Sequence, residues 1–135
     1  MTLCDTAPLV AMCDRDDPWH ARTIRALATM ADTTFVTTWP CFTEAMHFLR
    51  RAGGLAAQEH LWGLLDDGAV RLHASADLVP QRLRGLMRQY ADAPMDLADA
   101  SLVEAAGTLE LSQIFTFDSH FHAFRHAGGH FDVIS

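Results

Sequence analysis

The chain has no lysine: all ten of its basic residues are arginine. That absence excludes a P-loop phosphate cradle, a Schiff-base enzyme and a phospho-receiver domain of the usual type, each of which needs a lysine amine. A GC-rich genome would account for arginine-only usage. Cysteine is scarce, with three residues (Cys4, Cys13, Cys41) and no CxxC pair. An odd number without an export signal reads as reduced and cytoplasmic. No run of about 18 apolar residues offers a membrane span, and the N-terminus lacks a basic region followed by a long apolar segment. GxSxG, HExxH and GxGxxG are all missing.

What is present is acid. Seventeen Asp and Glu give a net charge of −7, which by itself argues against a nucleic-acid partner. The argument weakens if several of those acids converge on divalent cations, because the cations then carry the positive charge. The 135 residues, half of them hydrophobic, fit one domain with an ordinary core, spanning 1–135.

Along the chain, short β-rich runs alternate with amphipathic segments. Strands are expected at 2–5, 33–37, 69–73, 113–117 and 131–134. Helices are expected at 7–13, from Asp17-Pro18 to about Met30, from Pro40 to the Gly53-Gly54 pair, at 54–66, at 77–91 and at 95–109. Strands separated by helices require crossover connections. The expected architecture is therefore α/β, a three-layer α/β/α sandwich around a mainly parallel sheet.

In such sheets, ligands gather beyond the carboxyl ends of the strands. Asp5 follows the first strand and Asp118 the fourth. A carboxylate wedged between Leu3-Cys4 and Leu9-Val10 is partly dehydrated, which is costly unless something compensates its charge. Two further acids are placed oddly. Glu44 sits among apolar residues in PCFTEAMHFL. Asp99 sits in PMDLADASLVEAA between two small alanines, with Asp96 one turn earlier as a helix N-cap.

These blocks together, LCDTAPLVA, TEAMHFLRR, MDLADASLVEAA and IFTFDSHF, resemble the PIN domain, and among PIN domains the VapC-type toxins of bacterial toxin–antitoxin pairs. The resemblance runs from residue 2 to about 134 with the blocks in order. It implies a Mg2+- or Mn2+-dependent ribonuclease whose catalytic and metal-binding acids are Asp5, Glu44, Asp99 and Asp118. Thr6 and Thr116 match hydroxyl positions beside the first and last acids, and Asp96 is a supporting residue. It also implies an RNA substrate, a cognate antitoxin protein and a homodimer, with no membrane association.

The chemistry is coherent without the family name. Crowded carboxylates raise one another's pKa, and a hard divalent cation held by oxygen ligands removes that penalty. Two other functions use similar acids. An aspartyl-nucleophile phosphatase wants a second acid two residues after the first, where this chain has Ala7. A catalytically weak PIN-like interaction module remains the stronger alternative.

Other features read as ordinary. The tail DSHFHAFRHAGGH carries His120, His122, His126 and His130, which read as a short exposed helix and loop, with His120 able to approach the site. Trp19, Trp39 and Trp62 read as core from their apolar spacing, and Cys4 and Cys41 as small buried hydrophobes. Arg50, Arg51, Arg82, Arg84, Arg88 and Arg125 are the candidates for RNA contact; three of them share one predicted helix and could equally be its solvated face.

Overall fold

The computed structural model describes residues 1–74 and 79–135. Five strands, β1 (Thr2–Cys4), β2 (Phe35–Thr38), β3 (Val70–His73), β4 (Gln113–Phe115) and β7 (Asp132–Ile134), form one sheet in the order β3-β2-β1-β4-β7. All four pairings are parallel. The sheet is thus wholly parallel, as crossover helices between successive strands demand.

The strands separate the core into two halves by simple alternation. Leu3, Val36 and Ile114 point to one face, where they meet Leu102, Val103 and Ala106 of α5 (Leu97–Leu109) and the aromatic group Phe121, Phe124 and Phe131. Their neighbours Cys4, Phe35 and Phe115 point to the other face. There they pack against Leu9 and Val10 of α1 (Thr6–Cys13) and Phe42, Leu49 and Leu61 of α3 (Trp39–Asp66). The result is the expected three-layer α/β/α sandwich.

Element limits follow local chemistry. The two helices expected on either side of Gly53-Gly54 are joined end to end as α3, with non-helical backbone at both glycines. Gly54 takes φ +65°, a conformation that glycine adopts without steric cost. α2 (His20–Thr29) starts two residues later than Pro18, and α5 starts after its Asp96 cap rather than at Met95. α4 covers Val79–Gln89; the expected start at 77 lies outside the described residues. After β4 the chain forms a 3-10 turn (Ser119–His122) and a small antiparallel hairpin, β5 (Arg125–His126) with β6 (Gly129–His130), which was not foreseen. Among the described residues, no helix is long and apolar enough to cross a membrane.

The strand order reverses at β1, whose chain-successor β2 lies on one side and β4 on the other. The crevice between the carboxyl ends of β1 and β4 is therefore the topological switch point. Asp5 and Asp118 flank it.

Candidate active site

Asp5 is the first residue past β1, and its backbone N–H donates to the carbonyl of Phe115 at the end of β4 (3.0 Å). Its side chain is fixed twice. Oδ1 accepts the N–H of Thr6 at 2.7 Å, capping α1, and Oδ2 accepts the Thr116 hydroxyl at 2.7 Å. The same Thr116 oxygen accepts the N–H of Asp118 at 3.0 Å. One buried threonine thus ties the two strand-end acids together. Thr6 acts through its backbone, while its hydroxyl turns to the carbonyl of Cys41 (3.5 Å).

Asp99 arrives from the opposite layer. Asp96 caps α5 by accepting the N–H of Asp99 at 2.8 Å, and Asp99 Oδ2 accepts the N–H of Asp96 at 3.1 Å. This reciprocal box satisfies two helix-end donors and holds Asp99 rigidly at the cleft. Glu44 projects from the first turns of α3, solvent-exposed. Asp5, Glu44, Asp96, Asp99 and Asp118 line one cleft of about 600 Å³ together with Asp14 and Asp17.

The acids feel one another. Burial pushes the Asp5 carboxyl up to about 6; the hydrogen bonds from Thr116 and Thr6 work against that rise, and the charges of Asp118 and Glu44 add to it. Burial likewise pushes Asp99 up to about 7, opposed by the bond from Asp96 N–H and reinforced by the charges of Asp96 and Asp5. Four segments distant in sequence have therefore brought their negative charge into one partly dehydrated space.

The donor chemistry, all carboxylate oxygen, suits Mg2+ or Mn2+. Among the described residues, however, no group of three or more acidic, histidine or cysteine side chains is already arranged to hold a metal ion. The four acids share a cleft and an electrostatic field; gathering them on a cation requires side-chain adjustment.

His120 of the tail reaches this chemistry, the approach expected of it from the sequence. Its Nδ1 is 2.7 Å from Asp118 Oδ1, which also accepts the His120 backbone N–H at 2.9 Å. His126 is engaged elsewhere. Its Nδ1 accepts the N–H of Gly128 (3.0 Å), so its proton sits on Nε2, 3.0 Å from the carbonyl of His130, pinning the hairpin. Cys4 and Cys41 are fully buried, as expected.

Two expectations need correction or refinement. Trp19, Trp39 and Trp62 are not core; they are 41%, 50% and 42% exposed. Trp19 lies in the turn ahead of α2, while Trp39 opens α3 and Trp62 sits within it, each only partly covered. Of the candidate arginines, Arg51 lines the cleft. Arg82, Arg84 and Arg88 lie on the solvated side of α4, where Arg82 stands 3.8 Å from the buried Glu104. Sequence reasoning also missed Asp14 and Asp17. Both sit in the turn between α1 and α2, where Asp14 and Asp17 accept the N–H groups of Asp16 and Trp19 and look like ordinary turn residues.

Comparison with known proteins gives a fold likeness. The whole chain superimposes on the whole of Mycobacterium tuberculosis VapC20, described as a Sarcin-Ricin loop cleaving toxin, with TM-score 0.81 and 22% sequence identity. No family model and no curated protein matches the chain. The PIN-like fold inferred from the sequence is thus borne out at the level of architecture.

Proposed function

We propose that the chain is a Mg2+- or Mn2+-dependent endoribonuclease, the toxin of a type II toxin–antitoxin pair. One observation carries this reading: Asp5, Glu44, Asp99 and Asp118, from four separate segments, converge on the cleft at the switch point of a fold shared with an RNA-cleaving toxin.

Asp5, Asp99 and Asp118, with Glu44 at the rim, would hold the cation. A bound divalent ion supplies stabilisation of charge on the phosphate and acidification of a water for in-line attack. The chain's own part is positional. Thr116 sets the rotamer of Asp5 and anchors the backbone of Asp118, and the α5 cap aims Asp99 inward. His120 steadies Asp118 through Oδ1. Arg51 offers positive charge to a phosphate entering an otherwise acidic cleft.

The alternative of a weakly active interaction module draws support from the acids' spread, which falls short of a ready-made ligand set. Incubating the protein with single-stranded RNA and with a hairpin of the sarcin–ricin type, under Mg2+, Mn2+ or EDTA, separates the two. The nuclease reading expects cleavage with either metal and none in EDTA. An interaction module leaves both RNAs intact throughout.

A homodimer belongs to the same proposal. Along α3, Trp39, Phe48, Leu55 and Trp62 are between 42% and 67% exposed, more apolar surface than a monomer needs to present. Leu61, next to Trp62 on α3, is by contrast fully buried and serves the core. Light scattering at roughly tens of micromolar should give twice the chain mass, and Leu55→Arg should halve it. A monomeric parent under those conditions contradicts the dimer. The antitoxin would come from a small reading frame adjoining this gene, its basic side chains forking onto the cleft carboxylates; inhibition that survives replacement of all those side chains would rule that contact out.

A further inference from the structure

Trp19 stands at the edge of the acidic cleft, 41% exposed. It is not loose. Its backbone N–H is held by Asp17 Oδ1 at 2.8 Å, and its ring lies stacked on Phe117 with centroids 4.8 Å apart and planes 13° from parallel. Phe117 is braced edge-on against the fully buried Phe115 of β4 (5.6 Å, 86°), so the pair is anchored in the sheet. The guanidinium carbon of Arg22 lies 5.2 Å from both ring centroids, and Nη2 of Arg22 donates to the Ser135 hydroxyl at 3.1 Å.

This arrangement has three parts: an indole backed by a second ring, a cation at its border, and the adjacent residue Asp118 at the proposed reaction centre. A hydrophobic core residue needs no cation beside it and no exposed surface. A partly open aromatic face next to an arginine matches a nucleobase with its phosphate, since every base offers a π-face and every nucleotide a negative charge.

We propose that Trp19, buttressed by Phe117 and accompanied by Arg22, is the stacking platform for an unpaired base of the RNA next to the scissile phosphate. This rests on the ribonuclease reading and adds to it a substrate form: the RNA enters with at least one base unstacked. Because stacking tolerates any base, the platform fixes the position of the strand without dictating its sequence.

The test is binding of a fluorescently labelled short single-stranded RNA, followed by anisotropy in Mg2+, with Asp99→Asn present in every protein to prevent cutting. Trp19→Ala should weaken binding roughly ten-fold or more, while Trp19→Phe should keep most of it. Removing one base from the RNA, leaving its backbone intact, should reproduce the loss at a single position and cost nothing further in Trp19→Ala. Equal binding by the Ala variant, or no abasic position that weakens the unmutated platform, overturns the proposal and leaves the ribonuclease reading standing. RNA that none of these proteins binds, and that the protein with Asp99 intact does not cut in Mg2+ or Mn2+, overturns both. The abasic series needs no change at Trp19, so a misfolded variant does not obscure the outcome.

Discussion

Asp99→Asn should lower RNA cleavage more than ~100-fold, since even residues behind metal ligands typically cost 10–100-fold, while leaving the metal-free fold at least as stable. The amide keeps the shape of the side chain and an oxygen to accept the Asp96 N–H, so the α5 cap survives. It also removes a charge that burial and the neighbouring acids already disfavour. Without metal, the variant should match the parent or exceed it by up to ~2 kcal/mol, within the usual span of single substitutions. Mn2+ should raise the parent's Tm and the variant's much less. A structural acid would behave in the opposite sense, with a weaker metal-free fold and an intact metal response.

The second large effect is on pH. Asp5 and Asp99 both hold their protons to higher pH when folded than when unfolded, Asp5 to about 6 and Asp99 to about 7. The folded state therefore binds more protons, and stability falls as pH rises. Their contribution is fully present below the ordinary carboxylate range and is lost on passing through those raised values. For Asp5 the loss is on the order of 3 kcal/mol between about pH 4 and pH 8. Denaturant melts in EDTA, with the Asp5→Asn curve subtracted, isolate this term from the other acids. In Mn2+ the trend should shrink or reverse, because ligands bind metal only when deprotonated. A difference curve flat with pH would show that Asp5 is not held in a dehydrated, acid-crowded site.

Much of this was legible in the sequence because it depends on short-range pattern. Alternation within Leu3-Cys4, Phe35-Val36 and Ile114-Phe115 predicts strands with two buried faces, and the structure sends successive residues to opposite halves of the core. The Gly53-Gly54 break and the Asp96 cap were readable from residues adjacent in the chain. Asp5 and Asp118 were found because parallel sheets place ligands at strand ends. What escaped depends on contacts between distant segments. The apolar spacing of Trp19, Trp39 and Trp62 is the same whether the covering surface is core, partner or substrate. Asp14 and Asp17 carry only a turn signature until the fold swings them to the cleft. The β5–β6 hairpin escaped for a local reason instead: two residues per strand are too few for any periodicity, and the His126 ring closes it on the Gly128 N–H and the His130 carbonyl. Glu104 gave no signal at all among its alanines, yet it is buried with His73 at 3.2 Å and Thr108 at 2.6 Å.

The central claim, that the cleft acids exist to bind a catalytic divalent cation, is tested most directly by calorimetric titration of Mn2+ into the parent and into Asp5→Asn near pH 6.5. The account predicts saturable binding to the parent with release of protons from the raised carboxyls, and loss of both in the variant. Saturable binding that is equally strong in Asp5→Asn, or no saturable binding by the parent, would contradict it.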